Sequence, residues 1–460
     1  MKAMSLMGGA AGALITGWII VSHTAAANAA VSAGDAAKLK TTLTPLGGEK
    51  AGNADGTIPA WNGGMTSPLP GFVNGGRRDI DPFAGEKPLF TISNKNMDQY
   101  KDRLSEGTVA MMTRYPGEYV LNVYPSHRTM AAGQWVYDNT FTNATRAKLV
   151  NNAPSGAYGG IPFPIPQSGE ETIWNHLLNV HPVGWHEATR NYVLTADGKR
   201  VMVTEMDITK WMPYYDKKGS LETFDASGRD YHAFVLKNDG PPIRAGEGVV
   251  QIYNFDNDET RAWVYLTGQR RIRKLPNPCC DTPFPPSSGI LSFDELYIFS
   301  GRTDRFDWEL VGKKEMYIPY NSNKILIPTS DDEVVSSRFL NPEHVRWELH
   351  RVWVVEAKMK PGNRHVSPRS RYYLDEDSWI GVLGERWASD GSLAKSLINV
   401  PSIAPDIPAI LTTDFGFYDL SSGAGFIAGV YNYSPEHWKI VDTYTAKDFT
   451  PEKLAGEGVR

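Results

Sequence analysis

The chain has 460 residues, 41% hydrophobic and 22% charged, with a formal net charge of −5. That length implies one large sheet-based domain with additions, or two closely associated ones, and the acidic balance gives no electrostatic basis for binding nucleic acid. The 43 Gly, 31 Pro, 21 Tyr and 13 Trp favour strands and long loops over a helix bundle.

The first residues read as a secretory signal. Lys2 supplies the positive start, and Leu14, Ile15, Trp18, Ile19, Ile20 and Val21 lie in an apolar stretch. Ala27-Asn28-Ala29 then places small residues at both recognition positions of a signal peptidase. The stretch is short and interrupted by Gly8, Gly9, Gly12 and Gly17, which argues for a cleaved signal over residues 1–29 rather than a membrane anchor. No cysteine lies near the site, so no lipidated N-terminus is expected. No later segment is long and apolar enough to span a bilayer, so a soluble secreted product is expected.

Residues 30–184 read as an irregular and helical segment. Asp35 caps a short helix through Ala36-Ala37-Lys38-Leu39, and Gly and Pro then break any period up to Gly71. A helix is expected from Met97 to about Thr113, with Gly107 as its weak point. Ser168-Gly169-Glu170-Glu171 is a capping-box pattern that opens a second helix through Ile173, Trp174, Leu177 and Leu178.

From about residue 185 to 460 the period is two. Tyr192-Val193-Leu194 and Val201-Met202-Val203 flank the turn Ala196-Asp197-Gly198, and a second hairpin joins Val249–Tyr253 to Ala262–Leu266. Val345, Trp347, Leu349, Trp353, Val355, Ala357 and Met359 share one parity, whereas Arg346, Glu348, His350, Glu356 and Lys358 share the other. Arg351, Val352 and Val354 break the pattern. One greasy face and one wetter face are expected, in a large antiparallel sheet. Further strands, separated by Asp375-Glu376-Asp377 and Asp390-Gly391, extend a meander that is barrel-like or a strongly curved open sheet.

No catalytic constellation stands out. Gly-x-Ser-x-Gly is absent, and Ser392-Leu393-Ala394-Lys395 follows a hairpin turn rather than opening the helix that a Ser-x-x-Lys site needs. His176, His181 and His186 are spaced by five, which separates them on a helix, and the other histidines are scattered; structural roles are expected for all. The turns Asp256-Asn257-Asp258 and Asp375-Glu376-Asp377 lack an EF loop's continuation and are expected to be solvated. No metal, cofactor or nucleotide site is expected. Adjacent Cys279 and Cys280 either close a strained vicinal disulfide or are two small loop residues without a shared role, the second reading being preferred. Arg270, Arg271, Arg273 and Lys274 end an apolar strand ahead of Asp294, Glu295, Asp304 and Asp307. These charges either pair across strands or form a charged mouth that holds an amphiphile's head group.

Longer motifs carry a resemblance. Leu43-Thr44-Pro45-Leu46-Gly47, Glu49 to Trp61, Asp81-Pro82-Phe83-Ala84, Val123 to Arg128 and Gly160 to Pro166 belong to it. So do Trp174-Asn175-His176, Asp281-Thr282-Pro283, Asp304 to Trp308, Ile318 to Asn321 and Arg346 to Trp353. Together they resemble a proteobacterial family called domain of unknown function 1329. The cysteine pair before Asp281 departs from its pattern. The resemblance implies a mainly β fold with few helices, like the periplasmic lipoprotein-sorting carriers: a half-open, curved antiparallel sheet with helices against its concave side. It also implies a periplasmic location in a Gram-negative envelope. The implied partners are a hydrophobic or lipid-like ligand, an outer-membrane β-barrel and an efflux-type inner-membrane permease.

The resulting expectation is a non-enzymatic carrier or chaperone, built as one integrated domain. An envelope scaffold that docks on a barrel without lipid is the alternative, and an envelope hydrolase the least favoured. Trp263, Tyr265, Arg270, Arg271, Arg273, Trp347 and Trp353 are the expected ligand-binding residues, beside an oily hollow that the protein's own side chains do not wholly fill.

Overall fold

The computed structural model describes residues 30–457, so the expected signal peptide lies outside the described residues. Helix α1 (Ala33–Ala36) is capped by Ser32, whose hydroxyl accepts from the Asp35 backbone. Strand β1 (Phe90–Ile92) pairs with β2 (Leu121–Val123). Between them the expected helix divides. Met97–Arg103 is a 3₁₀ segment, Leu104 is extended, and Ser105 caps a fresh helix α2 (Glu106–Arg114) through the Thr108 backbone N–H. The division follows from that cap, since Ser offers the backbone a local partner that ends one helix and starts another. Helix α3 (Gln134–Arg146) precedes a small separate hairpin, β3 (Lys148–Val150) with β4 (Ala153–Ser155). Helix α4 (Gly169–Leu177) begins at its expected cap, with the Ser168 hydroxyl accepting from Glu171 N–H.

The main sheet then forms as two meanders. The first contains β5 (Gly184–Leu194), β6 (Arg200–Trp211), β7 (Asp230–Gly240), β8 (Gly248–Asn254), β9 (Arg261–Leu266) and β10 (Arg271–Leu275). Short helix α5 (Leu221–Ala226) lies between β6 and β7. After β11 (Phe306–Pro319) and α6 (Asp331–Val334) comes the second meander. It runs through β12 (Trp347–Met359), β13 (Arg369–Asp375), β14 (Gly381–Trp387), β15 (Leu393–Ala404), β16 (Ala409–Asp419) and β17 (Gly425–Val430). Two-residue β18 (Lys439–Ile440) borders β5, and α7 (Pro451–Glu457) ends the described chain. The antiparallel pair β17–β5 joins the meanders in the middle of a 16-stranded sheet that does not close into a barrel. Both hairpins expected from the sequence are present, as β5–β6 and β8–β9.

Exposed edges of this sheet are blunted by charge and irregularity. β10 presents Arg271, Arg273 and Lys274 to solvent. β11 pairs with β12 along its length, alternates exposed charged positions, and carries a bulge between Leu310 and Gly312. Both devices discourage edge-to-edge association.

The two faces are covered differently. Ile298, in residues 276–305, packs on Gly384 and Gly381, whereas Gly107 of α2 packs on Ser396. Gly384 faces Leu397 across the β14–β15 ladder and Ser396 faces Glu385, so alternation puts these contacts on opposite faces. α4 shares the side of residues 276–305, where His176 meets Gly381 and the Phe299 carbonyl. α2 and α7 add cover to the other side. The meander also needs one close approach: a Cβ at Gly416 would lie 1.8 Å from the Phe426 carbonyl oxygen. Gly416→Ala should therefore destabilise by about 1–3 kcal/mol or more, read as a lower urea midpoint with an unchanged slope.

Three expectations need correction. Most of the wetter parity at and before β12 is not solvated: Arg346, Glu348, His350 and Glu356 are buried, and Lys358 near the strand end is exposed. The turn Asp375-Glu376-Asp377 is buried as well, at 0%, 2% and 2% exposure. Arg128 satisfies it, donating from Nε and Nη2 to the two Asp377 carboxylate oxygens at 2.8 and 2.7 Å. Finally, Asp294, Glu295 and Asp304 pair elsewhere than with Arg270–Lys274, and Asp307 is exposed. Asp294 binds Arg386 and His365, Glu295 binds Lys395, and Asp304 binds Arg302.

Candidate ligand site under the 276–305 cover

Residues 276–305 leave β10, cross the inner face and return as β11. Their sole bridge is internal, Pro283 with Ser292, so no ladder ties them to the sheet. Side chains hold them instead. Phe284, Leu291, Phe293, Leu296, Ile298 and Phe299 are all buried. Cys279 and Cys280 form a vicinal disulfide at the start of the segment, which corrects the preferred reading of two unlinked residues. His176 clamps α4 to both partners: its Nδ1 accepts from Gly381 N–H at 3.0 Å and its Nε2 faces the Phe299 carbonyl at 3.1 Å. Burial holds that imidazole at about 4, so it is neutral.

Two cavities remain beneath the cover. One, of about 70 Å³, lies among His181, Trp185, Tyr231, His232, Phe299 and Trp438. The other, of about 40 Å³, lies among Met206, Ile208, Phe234, Leu296, Phe415 and Phe426. Glu187, Lys210 and Tyr297 border both. Ligand pockets usually measure about 300–1,000 Å³, so the oily side is largely filled by the protein itself in this conformation. The expected hollow is thus reduced to these two small cavities.

The shared wall is the polar centre. Lys210 Nζ lies 2.5 Å from a Glu187 carboxylate oxygen and 2.5 Å from the Tyr297 hydroxyl. The other Glu187 oxygen accepts from Trp185 Nε1 at 3.0 Å and from Tyr431 at 2.8 Å. Burial opposes the charge on Lys210, but Glu187 and Tyr297 outweigh it and raise its pKa. The neighbouring imidazoles are neutral: burial, then Lys210, holds His181 at about 3 and drives His232 well below the usual range. His181 Nδ1 and His232 Nε2 have no hydrogen-bond partner. Unpaired nitrogens beside a cavity this size suit a few waters or a small polar head group. Above them Tyr297 and Ile298 hold left-handed backbone, at φ 52° and 78°. For a β-branched residue that conformation is strained by about 1–3 kcal/mol.

None of the seven residues expected to bind ligand lines either cavity. Trp263 and Tyr265 pack on the opposite face in a separate cluster with Phe449 and Leu454. Arg270, Arg271 and Arg273 are exposed at the β10 edge. Trp347 is core, and Trp353 stacks on Trp379 with Lys313 over its ring. The residues that do line the cavities left one local trace: Lys210 shares the parity of apolar Met206 and Ile208 on β6. The spacing-of-five argument missed the histidines because His176 lies on α4, His181 in a loop and His186 on β5.

An open antiparallel sheet with one face sealed by a long irregular segment and a helix is the class of protein these features define. The family model described as "Protein of unknown function (DUF1329)" matches residues 91–455, so the chain belongs to that family. An uncharacterized protein of Pseudomonas aeruginosa is 36% identical over 439 residues, covering 94% of this chain and 95% of the relative. Among solved structures, a domain put forward as an outer membrane lipoprotein-sorting protein from Vibrio parahaemolyticus matches with a TM-score of 0.44. Its identity is 11%, covering 63% of this chain and 98% of that one. A DUF1329 family protein from Desulfovibrio piger gives a TM-score of 0.43 at 13% identity, covering 62% and 97%.

Proposed function

We propose that the protein is a periplasmic carrier or chaperone for a hydrophobic, lipid-like ligand moving between inner and outer membrane, and that the ligand enters beneath residues 276–305. The observation that supports this reading is the pair of apolar-walled cavities meeting at Lys210 under a cover that no strand ladder holds. A ligand needs several times the present volume, so it displaces the cover and selects an open state. The signal-like first 29 residues and the Cys279–Cys280 disulfide fit an oxidising envelope compartment.

Native mass spectrometry of protein taken from its own periplasm tests the reading. An extractable amphiphile should accompany the chain. The double variant Lys210→Met/Glu187→Leu removes the buried pair together, which leaves no stranded charge and should preserve the fold. It should retain at least about tenfold less ligand if the head group sits at Lys210. Ligand-free protein, with cover amides as protected from exchange as the central strands, would sink the carrier.

The small present volume favours a second reading, an envelope scaffold that docks on an outer-membrane β-barrel. A pull-down that retains the barrel while the double variant works normally selects it.

A further inference from the structure

Beneath residues 43–61, which form a strap over the second meander, three buried side chains converge. His350 of β12, Asp375 at the end of β13 and Asp377 in the following turn each bring one ligand-type atom within 4.8 Å of the others. We propose that His350, Asp375 and Asp377 bind a divalent transition-metal ion of the zinc class, with the Tyr320 hydroxyl at a fourth position.

Two buried polar atoms that make no hydrogen bond point to a missing ligand. Asp375 is fully buried, yet its Oδ1 has no hydrogen-bond partner; the nearest basic atom is His350 Nδ1 at 3.4 Å. Tyr320 is also fully buried with an unpartnered hydroxyl, and its ring lies 4.0 Å from the His350 ring. A separation of about 3.4 Å is what two ligands at tetrahedral angles and zinc-type bond lengths require.

Each ligand is also oriented from behind. His350 Nε2 lies 3.0 Å from a Glu348 carboxylate oxygen, an arrangement that leaves Nδ1 facing Asp375. The other Asp375 oxygen accepts from the Ser378 N–H and hydroxyl at 2.8 and 2.6 Å. Asp377 is held by Arg128, and each of its oxygens keeps a second lone pair. Such outer partners fix ring orientation and tautomer at metal centres. A mixed imidazole–carboxylate set of this kind suits zinc or manganese better than a soft, thiolate-seeking metal.

The strap closes the site. Gly48 approaches so closely that a Cβ there would lie 2.6 Å from Asp377 Oδ1, and Glu49 N–H donates to Glu376 at 3.2 Å. The ion therefore enters before the strap seats, and binding stabilises the seated strap.

The test uses the full mature chain, stripped with chelator, incubated with Zn²⁺ or Mn²⁺, desalted, and assayed for retained metal by elemental mass spectrometry. One equivalent per chain is expected, with a raised melting temperature and slower proteolysis within the strap. Co²⁺ should give the absorption of a tetrahedral nitrogen–oxygen site. Asp375→Asn, nearly isosteric, should lose the metal while circular dichroism stays native. Should that variant fail to fold, the wild-type stoichiometry and cobalt spectrum decide. No retained metal, or retention undiminished in a folded Asp375→Asn, overturns the proposal.

Discussion

Replacing Arg386 with alanine should destabilise the protein by about 3–5 kcal/mol, because it strips a buried carboxylate of its guanidinium partner. Arg386 and Asp294 are each 1% exposed. The guanidinium reaches both Asp294 carboxylate oxygens at 3.3 Å and the Asp294 carbonyl at 3.1 Å. His365 Nε2 adds a contact at 2.9 Å, and Lys395 holds neighbouring Glu295 at 2.7 Å. The expected readout is a lower urea midpoint, with hydrogen exchange accelerating first in residues 276–305. An unshifted midpoint would show that packing alone seats the cover.

The same site sets an acid limit. Burial opposes ionisation of Asp294, but Arg386 and then His365 outweigh it and hold the carboxyl at about 2. The folded value lies below the unfolded one, 3.8, so the contribution is complete above about pH 4. It disappears as pH falls through about 2. A shift of this size corresponds to roughly 2–3 kcal/mol. The cover should therefore stay seated in mild acid and loosen only near pH 2, a step that Asp294→Asn removes.

Arg128→Ala should cost a similar amount, about 3–5 kcal/mol, at the other covered site. Besides its bonds to Asp377, Arg128 Nη2 lies 3.4 Å from Glu376, and Nη1 points at the carbonyls of Lys50, Ala51 and Pro59. One guanidinium thus ties the strap to the acidic turn. Burial already raises the Asp377 carboxyl to about 6, with Arg128 working against the rise and Asp375 and Glu376 adding to it. Without Arg128 the carboxyl rises further and the turn takes up a proton near neutrality. Trypsin should then cut at exposed Lys50 well before it cuts the sheet. Arg128→Lys should rescue only part of the loss, since an ammonium cannot satisfy both oxygens and the strap carbonyls together. Wild-type resistance in Arg128→Ala would show that the strap is held by other contacts.

Local pattern carried the fold a long way. Alternation, with turn signals at Asp197-Gly198 and Asp256-Asn257-Asp258, located β5, β6, β8, β9 and β12, and the capping box at Ser168 located α4. The site was far less legible, because alternation says that two faces differ but not what covers the polar one. Glu348 and His350 looked like a solvated face, and only the fold brings Tyr320, Asn321 and the Asp375–Asp377 turn against them. Arg128 with Asp377, and Asp294 with Arg386, are partners from distant segments, and nothing near either residue marks the pairing. The Arg270–Arg273 cluster was conspicuous in the sequence for a related reason: an exposed edge needs its charges bunched, whereas buried pairs are dispersed.

The central β17–β5 junction sets the order in which the chain can assemble. Gly425 pairs with Leu194, so the first long strand to emerge waits for nearly the last one before its open side is satisfied. As the chain folds, the early meander is therefore a sticky, incomplete template, and its completion depends on contacts very distant along the chain. Refolding should be slow and dependent on concentration, and an attendant holdase would protect the waiting strand from pairing with the wrong chain.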